Sequence, residues 1–462
     1  MRVKASVKYL GQDFEELRRQ CLRSGQLFCD PTFPESLGFN ELGPNSANAR
    51  EVQWKRPKEL CPNPHFIVGG TTTTDICQGD FGDCWLMAAI ASLTLNQDIL
   101  AHVIYPDQNF TNDYAGIFRF QLWQYVQWVD VVIDDLLPTK NSQLLFVHSA
   151  ERNEFWSALL EKAYAKVNCS YESLKRGRSA EGFEDFTGGI VEHYYLSQAP
   201  LSLFNVIKQA LGRGSLLSTS IHGTAHETEV VTQEQLVKRH AYSIIGAEEI
   251  QVGGDRVQLL HLRNPWGYKQ WTGALSDKSR EWNQVLPQVK AKLLRCADEG
   301  EFWMAYSDFK QWYAVVEICN LIPDSLSSGR LGLWDLWQFE ATFKSNQQFV
   351  INLDSSRQRD MYSSILVGLM KKDVHKNKPY GQDLNNICFS IYPVPKEYKS
   401  RRSIRLSSET LSQMRPAFRS VSSVRREVCQ RCELLPGVYV IIPSTNDPHH
   451  KGSFLLRVFS EK

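Results

Sequence analysis

The sequence has almost no net charge. Its 52 lysines and arginines are balanced by 51 aspartates and glutamates, which leaves +1 with histidine neutral. Because nucleic acids and anionic membranes attract chains with a large excess of basic residues, this balance gives no bulk signal for either, and we expect no nucleic-acid partner. The sequence also lacks a secretory signal and an apolar membrane span, since Met1-Arg-Val-Lys-Ala has no apolar segment after it.

Paired cysteines are also scarce. The 11 cysteines are scattered singly, apart from Cys429 and Cys432. Because no second pair and no histidine lie near this lone CxxC, two structural cysteines are favoured over a zinc site. Many unpaired cysteines, one of them a candidate nucleophile, are typical of the reducing cytosol. We therefore expect a cytoplasmic protein.

The most informative stretch covers residues 78–93. The 462-residue chain is long enough for about three domains, so its function has to be found in local motifs. From Trp85 onward this stretch is rich in alanine and leucine, which predicts a buried helix, and Gly79 and Gly82 bend the chain before it. Cys84 then lies at a helix N-terminus, where unpaired N–H groups and the helix dipole favour a thiolate. The position is equally compatible with a small buried hydrophobic residue.

A histidine and an asparagine downstream complete a candidate catalytic set. His240 enters a β-branched, strand-like run, and Asn264 ends another strand-like run that Pro265 stops. A cysteine followed far downstream by histidine and then asparagine is the order of a papain-like cysteine protease. Each residue alone has a simpler interpretation, a core histidine or a turn asparagine. Gln78, shortly before Cys84, is placed to donate an N–H to an oxyanion.

Three signatures, QGDFGDCW, LVKRHAYSIIGA and LRNPWG, occur in this order and resemble the catalytic core of the calpains. The resemblance implies a calcium-regulated intracellular cysteine endopeptidase that makes limited cleavages in protein substrates through a thioester. It also implies that Trp266 shields the bond between His240 and Asn264 and helps to keep the halves of the core apart in the inactive form. Other stretches resemble calpain text too: FCDPTFP, WKRP, YAGIF, WVDVVIDDLLP, NEFWSALLEKAYAK, EGFEDFTGG and GEFWM.

The predicted fold is α+β, with a papain-like core of two subdomains followed by an antiparallel β-sandwich. Short alternating apolar runs separated by Pro and Gly predict the sandwich. If the cysteine and its partners lie on different subdomains, closure of the two halves is a natural control point. The predicted boundaries are 1–27 for an N-terminal anchor segment, 28–178 for the subdomain with the cysteine, 179–322 for the subdomain with histidine and asparagine, and 323–462 for the sandwich.

Local patterns add three further predictions. An amphipathic helix is expected around Phe14. Residues 28–65, rich in Pro, Asn and Gly, predict irregular structure. A helix is expected from Asn153, with apolar residues such as Phe155 and Leu159 on one face.

The resemblance implies two calcium sites, the first of which matches the family well. Its ligands would be the carbonyls of Val68 and Gly70 and the carboxylates of Asp75 and Glu154. Hard oxygen ligands of mixed backbone and carboxylate type suit calcium. Without the resemblance, Asp75 would be a loop residue and Glu154 a charge in the first turn of a helix.

The second calcium site departs from the family. Calpains usually have glutamate at the position of Gln270, and an amide there removes one negative charge. Thr73 replaces an arginine that in many calpains pairs with an acid and links the two sites. We therefore expect a weak second site and activation only at high calcium concentration. The matching positions are Gln270, Asp277, Ala297, Glu299 and Glu301.

The sandwich departs from the family as well. The text before its first strands is shortened near Gly329, and the loop 354–360 carries little net negative charge, so we do not expect it to bind calcium. Two basic stretches predict attraction to an anionic membrane surface, worth about 1 kcal/mol per residue and recruiting the protein on a calcium signal. A solvated surface is the commoner fate of such stretches. Their residues are Lys371, Lys372, Lys376, Lys378, Arg401, Arg402 and Arg405.

The chain ends where typical calpains continue into EF-hand repeats, and no D-x-D-x-D-G loop occurs in it. Because the small subunit of typical calpains docks through those repeats, we expect no such heterodimer. The alternative function is a calpain-like scaffold that binds calcium or lipid and has weak or no protease activity. A transglutaminase also pairs Cys-Trp with histidine, but its third member is normally aspartate, so Asn264 argues against it.

Overall fold

In the computed structural model, helices are mixed with largely antiparallel strands, which confirms the α+β class. Contacts divide the chain into two units, Met1–Leu321 and Ile322–Lys462. The division of the first unit after residue 178 stays a prediction. The structure describes residues 6–38, 52–72, 75–79, 83–175, 177–223, 230–268, 270–294, 300–321, 334–343, 347–353, 363–372, 385–399, 403–446 and 452–461.

The first unit alternates helices with short strands. Its helices are α1 (Phe14–Ser24), α2 (Glu35–Gly38), α3 (Pro57–Leu60), α4 (Cys84–Leu93), α5 (Gln97–Ile104), α6 (Trp156–Val167), α7 (Ser179–Thr187), α8 (Leu203–Gly212), α9 (Pro287–Leu294) and α10 (Tyr306–Trp312). Its strands are β1 (Val7–Lys8), β2 (Gln53–Lys55), β3 (Ile117–Gln124), β4 (Gln127–Asp134), β5 (Leu137–Lys140), β6 (Gln143–Leu144), β7 (Ile190–Tyr195), β8 (Leu216–Ser220), β9 (Ala241–Val252), β10 (Asp255–Arg263), β11 (Glu301–Ala305) and β12 (Val315–Asn320). Short 3-10 helices cover Tyr9–Gly11, Glu172–Lys175, Leu196–Gln198 and Arg280–Gln284.

The amphipathic helix expected near residue 14 is α1. The Asp13 side chain caps it by accepting a 3.0 Å hydrogen bond from the N–H of Glu16. Its apolar side packs on a small cluster that contains Phe28 and Val132, the latter in β4. The irregular structure expected for residues 28–65 is interrupted by α2, β2 and α3.

Helix α6 is buried on every side, and this corrects the expectation of one apolar face. All 12 of its residues are buried. It begins at Trp156 rather than Asn153, so Glu154 lies ahead of the helix, in a β-bridge with His65, and not in its first turn. The sequence pattern marked one face because charged residues interrupt the apolar run, but those charges are buried too.

Buried lysines on α6 are paired with acids. Lys162 Nζ donates to Asp134 Oδ1 at 2.5 Å, and Lys166 Nζ donates to Asp30 Oδ2 at 2.6 Å. Buried charges of this kind persist only when they are paired and hydrogen-bonded. The second pair attaches the segment around residue 30 to α6.

The six-stranded sheet brings two candidate catalytic residues together at the ends of neighbouring strands. Its strand order is β11-β10-β9-β8-β12-β7. Strand β9 begins at Ala241, and its antiparallel neighbour β10 ends at Arg263, with Ser243 opposite Arg263. Strand β9 starts beside the end of its antiparallel neighbour β10. His240, just before β9, and Asn264, just after β10, therefore lie next to each other.

The second unit is a sandwich, as the sequence predicts. Its two antiparallel sheets, β13-β20-β15-β18 and β14-β19-β16-β17, share one apolar core that includes Ile351, Val367 and Phe389. Its strands are β13 (Trp334–Thr342), β14 (Phe349–Leu353), β15 (Ser363–Lys371), β16 (Ile387–Pro393), β17 (Phe418–Arg419), β18 (Glu427–Leu434), β19 (Gly437–Thr445) and β20 (Ser453–Glu461), and its helices are α11 (Lys396–Lys399) and α12 (Ser408–Gln413).

Across the described ranges, no single helix is long and apolar enough to cross a membrane. Helices α4 and α5 reach that length only together, with a bend of 115° between them.

Candidate active site

Cys84 is the first residue of α4, which confirms the predicted helix start. The carbonyl of Asp83 accepts hydrogen bonds from the N–H groups of Leu86 at 2.8 Å and Met87 at 3.2 Å, which closes the first turn. All ten residues of the helix are buried, and Cys84 keeps 8% of its surface exposed. A thiol at this end of a helix lies in the positive field of the helix dipole, which favours the thiolate.

Helix α4 is hydrogen-bonded to two strands of the six-stranded sheet, β8 and β9. Ser243 Oγ in β9 donates a 2.9 Å hydrogen bond to the carbonyl of Ala88, and Ser92 Oγ donates to a β8 carbonyl at 3.1 Å. Cys84 itself packs with Ala88 and with Ala241, the first residue of β9. The thiol therefore lies beside the start of the strand that His240 precedes.

His240 and Asn264 are hydrogen-bonded partners. His240 Nε2 lies 2.7 Å from Asn264 Oδ1. The orientation of the amide follows from its other end, because Nδ2 donates to the carbonyl of Tyr268 at 2.9 Å. With Oδ1 facing the ring, Nε2 carries the proton of the neutral imidazole. The other ring nitrogen, Nδ1, is then the one that exchanges a proton with a thiol.

Aromatic rings lie close to His240, although shielding of its hydrogen bond by Trp266 stays a prediction. The ring of Trp266 lies 4.8 Å from that of His240, and Tyr268 stacks on Trp266 at 5.6 Å. His240 and Asn264 keep only 1% and 0% of their surfaces exposed. A hydrogen bond shielded from water is electrostatically stronger. The role of Trp266 in keeping the halves apart stays a prediction.

Gln78 is half-buried on a segment that is held from both sides. The preceding Cys77 exchanges backbone hydrogen bonds of 2.8 and 3.1 Å with His148. The following Gly79 has no room for a side chain, because a Cβ there would lie 2.3 Å from a backbone oxygen. A Cβ on Gly267 would lie 3.9 Å from the Cys77 sulfur, so the segment passes beside the turn after Asn264. The oxyanion role of Gln78 stays a prediction, and Asp80, Phe81 and Gly82 lie outside the described residues.

Asp75 and Glu154 form a buried acid pair at the first predicted calcium site. They keep 4% and 2% of their surfaces exposed. Glu154 accepts hydrogen bonds from the N–H of Val68 at 2.6 Å and the hydroxyl of Ser149 at 2.7 Å. Burial and the negative charge of Asp75 raise the pKa of Glu154 to about 7. A cation favours the ionised form of a carboxyl group such as Glu154, and two buried carboxyl groups supply hard oxygen ligands, so these residues fit calcium. Gly70 lies on the adjoining exposed loop with φ of +107°.

The second predicted calcium site is less complete. Burial raises the pKa of Asp277, and among the described residues nothing donates a hydrogen bond to its buried Oδ1. The carboxylate of Glu301 lies 3.4 Å from His261 Nε2 and 4.0 Å from an Arg263 nitrogen. Burial lowers the pKa of His261 to about 4, so this contact is to a neutral ring. Gln270 is half-buried, while Thr73, Ala297 and Glu299 lie outside the described residues.

Within the part of the chain that the structure describes, no three or more His, Cys, Asp or Glu side chains are grouped as metal ligands. The first calcium site would therefore complete its coordination with backbone carbonyls and water, as calcium sites often do.

The paired cysteines of the sandwich do not form a joint site. Cys429 and Cys432 are three residues apart on β18 and so point to opposite faces. Both are buried, and Cys432 lies in the core between the sheets. This placement suits two structural cysteines.

The predicted basic stretches require a correction. Lys371 is 5% exposed and donates a 3.0 Å hydrogen bond to the carbonyl of Val424, so it offers no charge to a membrane. Lys372 is paired with Glu340 at 2.6 Å. Arg405 is exposed. The residues that lie outside the described ranges are Lys376, Lys378, Arg401 and Arg402, together with the loop 354–360 and the region around Gly329.

Two buried acids near the start of α4, Asp83 and Glu161, are not identified by the sequence motifs. Asp83 and Glu161 keep 2% and 1% of their surfaces exposed, and their side chains are in hydrogen-bonding contact. The available signal was a glutamate inside the apolar, alanine-rich run of α6. A solvated face explains such a residue equally well from sequence, so only the fold distinguishes the two.

Comparison with known proteins agrees with this geometry. The profile described as "Calpain family cysteine protease" matches residues 28–320, and "Calpain large subunit, domain III" matches residues 335–459. The calpain-2 catalytic subunit of Mus musculus is 49% identical over 482 aligned residues, and calpain-8 of Rattus norvegicus is 51% identical over 484. In both cases the alignment covers 99% of this chain and 69% of the relative.

A thiol at a helix start, an imidazole and a carboxamide on this α+β core define a papain-like cysteine protease, here followed by a β-sandwich. The chain belongs to the calpain family of calcium-regulated cysteine endopeptidases. Its substrates are accordingly proteins.

Proposed function

We propose that this chain cleaves peptide bonds with Cys84 as nucleophile, His240 as acid and base, and Asn264 as the residue that orients the imidazole. The observation that carries the proposal is the 2.7 Å contact between His240 Nε2 and Asn264 Oδ1. This contact lies beside the start of β9, whose first residue, Ala241, shares a buried cluster with Cys84. A neutral asparagine fixes the ring without adding charge, and leaves Nδ1 to accept the thiol proton.

The reaction begins when the proton of the Cys84 thiol passes to His240 Nδ1. The thiolate sulfur bonds to the carbonyl carbon of the substrate, and the carbonyl electron pair moves to oxygen. The side-chain N–H of Gln78 and the backbone N–H of Cys84 stabilise this oxyanion, and loss of one such donor costs about 3–4 kcal/mol of barrier. The C–N bond then breaks as His240 protonates the leaving amine. Water, activated by His240, hydrolyses the thioester.

Calcium at the first site would be held by the carboxylates of Asp75 and Glu154 and the carbonyls of Val68 and Gly70. When bound, the ion would supply positive charge that offsets the negative charge of the two buried carboxylates. Asp75 leads into the segment that carries Gln78, and Glu154 leads into α6. Ligands on both segments would therefore hold the Gln78 segment against the buried centre of the core.

The second site, in our proposal, binds calcium weakly. Gln270 offers an amide oxygen rather than a charged carboxylate, and Glu301 is already in contact with His261 and Arg263. Fewer available negative charges lower calcium affinity. The enzyme would then need high calcium concentrations.

We also propose a cytoplasmic location, supported by the ten described cysteines, all of which are free thiols. Recruitment to an anionic membrane rests on a smaller basic surface than the sequence indicates, since Lys371 is buried. Co-sedimentation with anionic vesicles, with and without calcium, tests it, and equal binding to neutral vesicles would count against it.

The proposed function is tested by casein cleavage with calcium or a chelator. We expect calcium-dependent cleavage by the wild type and none by Cys84→Ala. Cys77→Ala is the matched control, because it removes a thiol from the same region and should stay active. The alternative, a calcium- or lipid-binding scaffold with weak or no protease activity, predicts that calcium-dependent cleavage by the wild type exceeds that by Cys84→Ala little or not at all.

A further inference from the structure

Two buried carboxyl groups, those of Asp83 and Glu161, meet where α4 begins. Asp83 is the last residue before α4, and Glu161 lies in the middle of α6. They keep 2% and 1% of their surfaces exposed, and their side chains are in hydrogen-bonding contact. Glu161 Oε2 also accepts a 3.1 Å hydrogen bond from the N–H of Val147. Neither acid belongs to the catalytic set or the predicted calcium sites.

The two lysines that follow Glu161 on α6 are engaged elsewhere. Lys162 and Lys166, on the same helix as Glu161, donate to Asp134 and to Asp30. Among the described residues, the buried phenol of Tyr171 is a further titratable group whose charge interacts with that of Glu161. A phenol is neutral near pH 7 and supplies no positive charge.

Two ionised carboxylates in a dry contact repel each other, so the pair holds one proton. Burial, and next the charge of Asp83, raise the pKa of Glu161 well above its ordinary value. The shared proton then joins the two side chains, while Glu161 Oε2 accepts the hydrogen bond from Val147.

We propose that Glu161 is a positioning residue for the protease reaction: through a proton that it shares with Asp83 it holds Cys84 at the start of α4. This rests on the proposed role of Cys84 as nucleophile. The shared proton has a second effect, because it leaves one negative charge instead of two beside a thiol that has to ionise. An additional nearby negative charge disfavours a thiolate.

Two variants separate the hydrogen bond from the bulk of the side chain. Glu161→Gln keeps the shape, the donor to Asp83 and the acceptor for Val147, but cannot titrate. Glu161→Met keeps the length and removes the donor. We expect kcat of Glu161→Gln within about threefold of wild type, and kcat of Glu161→Met lowered about 100-fold with KM little changed, the scale of a misplaced reacting group. The rate at which iodoacetamide alkylates Cys84, followed against pH, should match wild type in Glu161→Gln alone. A purely structural role would not produce that selective rescue.

An infrared measurement tests the proton directly. The wild type at neutral pH should show the carbonyl absorption of buried protonated carboxylic acids. Because Glu154 contributes to this region too, the test is the difference spectrum between wild type and Glu161→Gln, which should contain one such band. The same comparison in a Cys84→Ala background needs no activity, so it stands even if the proposed function fails. The proposal is overturned if wild type lacks the band, if folded Glu161→Met keeps full kcat, or if Glu161→Gln is as impaired as Glu161→Met. If Glu161→Met does not fold, the infrared band and the activity of Glu161→Gln still decide.

Discussion

The hydroxyl of Ser243 donates a 2.9 Å hydrogen bond to the carbonyl of Ala88, and this buried bond joins the helix that begins with Cys84 to the strand that His240 precedes. Cys84 lies one turn of helix before Ala88, in the same buried cluster as Ala241. The distance between nucleophile and base is thus tied to contacts that neither residue makes itself.

Replacing Ser243 by alanine should weaken this attachment. We expect the free energy of unfolding to fall by about 1 kcal/mol, the usual net value of one buried hydrogen bond, and casein cleavage to fall severalfold. Chemical denaturation and initial rates measure the two effects. Ser412→Ala is the control, because that hydroxyl donates only to the Glu409 carbonyl within its own exposed helix. Equal unfolding midpoints for Ser243→Ala and wild type would show that this hydrogen bond does not stabilise the fold.

Exchanging the carboxamide at Asn264 for a carboxylate should change the pH dependence of cleavage. In Asn264→Asp, a negative charge beside the His240 ring favours the protonated imidazolium. The alkaline limb of kcat/KM against pH should therefore move to higher pH. Asn264→Ala serves as the comparison, since it loses the orienting contact and should lower kcat/KM at every pH without that upward movement. An unmoved alkaline limb in Asn264→Asp would mean that this residue does not act through the imidazole.

A carboxylate at Gln270 should restore the charge that the second calcium site lacks. We expect Gln270→Glu to reach half-maximal activity at a lower calcium concentration than wild type, because calcium binds charged oxygens more tightly. Titration of activity against free calcium measures the midpoint. Gln284→Glu, at an exposed position in the same unit, controls for a general effect of added charge. A midpoint that does not move in Gln270→Glu would sink the weak-site proposal.

The buried acid pair should make stability depend on pH with a definite sign. The pKa of Glu161 in the folded chain lies well above the ordinary 4.5, because of burial and then the charge of Asp83. Between these two values the unfolded chain has released the proton and the folded chain still holds it, so the free energy of unfolding falls as pH rises through that range. Glu161→Gln cannot titrate and should show a flatter dependence above about pH 5. The measurement is the urea midpoint of wild type and of Glu161→Gln at a series of pH values. If the two midpoints change with pH in parallel, Glu161 does not have a raised pKa.

Local signals explain which parts of the site can be predicted from sequence. Glycines followed by a run of helix formers place Cys84 at a helix start, because both are properties of neighbouring residues. The contact between His240 and Asn264 depends on strand pairing, and only the order of the three residues pointed to it. Fold class follows from the alternation of apolar runs in the same way.

Tertiary contacts explain what sequence could not show. Periodicity assigned one apolar face to α6, yet packing covers all of it, including Glu161. Lys371 looks like surface charge until β15 is placed in its sheet, where the carbonyl of Val424 accepts its hydrogen bond. The bond from Ser243 to Ala88 joins residues far apart in the chain, and serine carries no signal that it will bridge two elements.

The central claim is that Cys84 reacts as a thiolate activated by His240 when calcium is bound. The most direct measurement is labelling by a thiol-directed peptide inhibitor at saturating calcium, with the modified residue located by mass spectrometry. The account predicts one adduct, on Cys84, that is lost in chelator and in His240→Ala. Labelling that spares Cys84, or that falls instead on the exposed thiols Cys29 and Cys169, would contradict it.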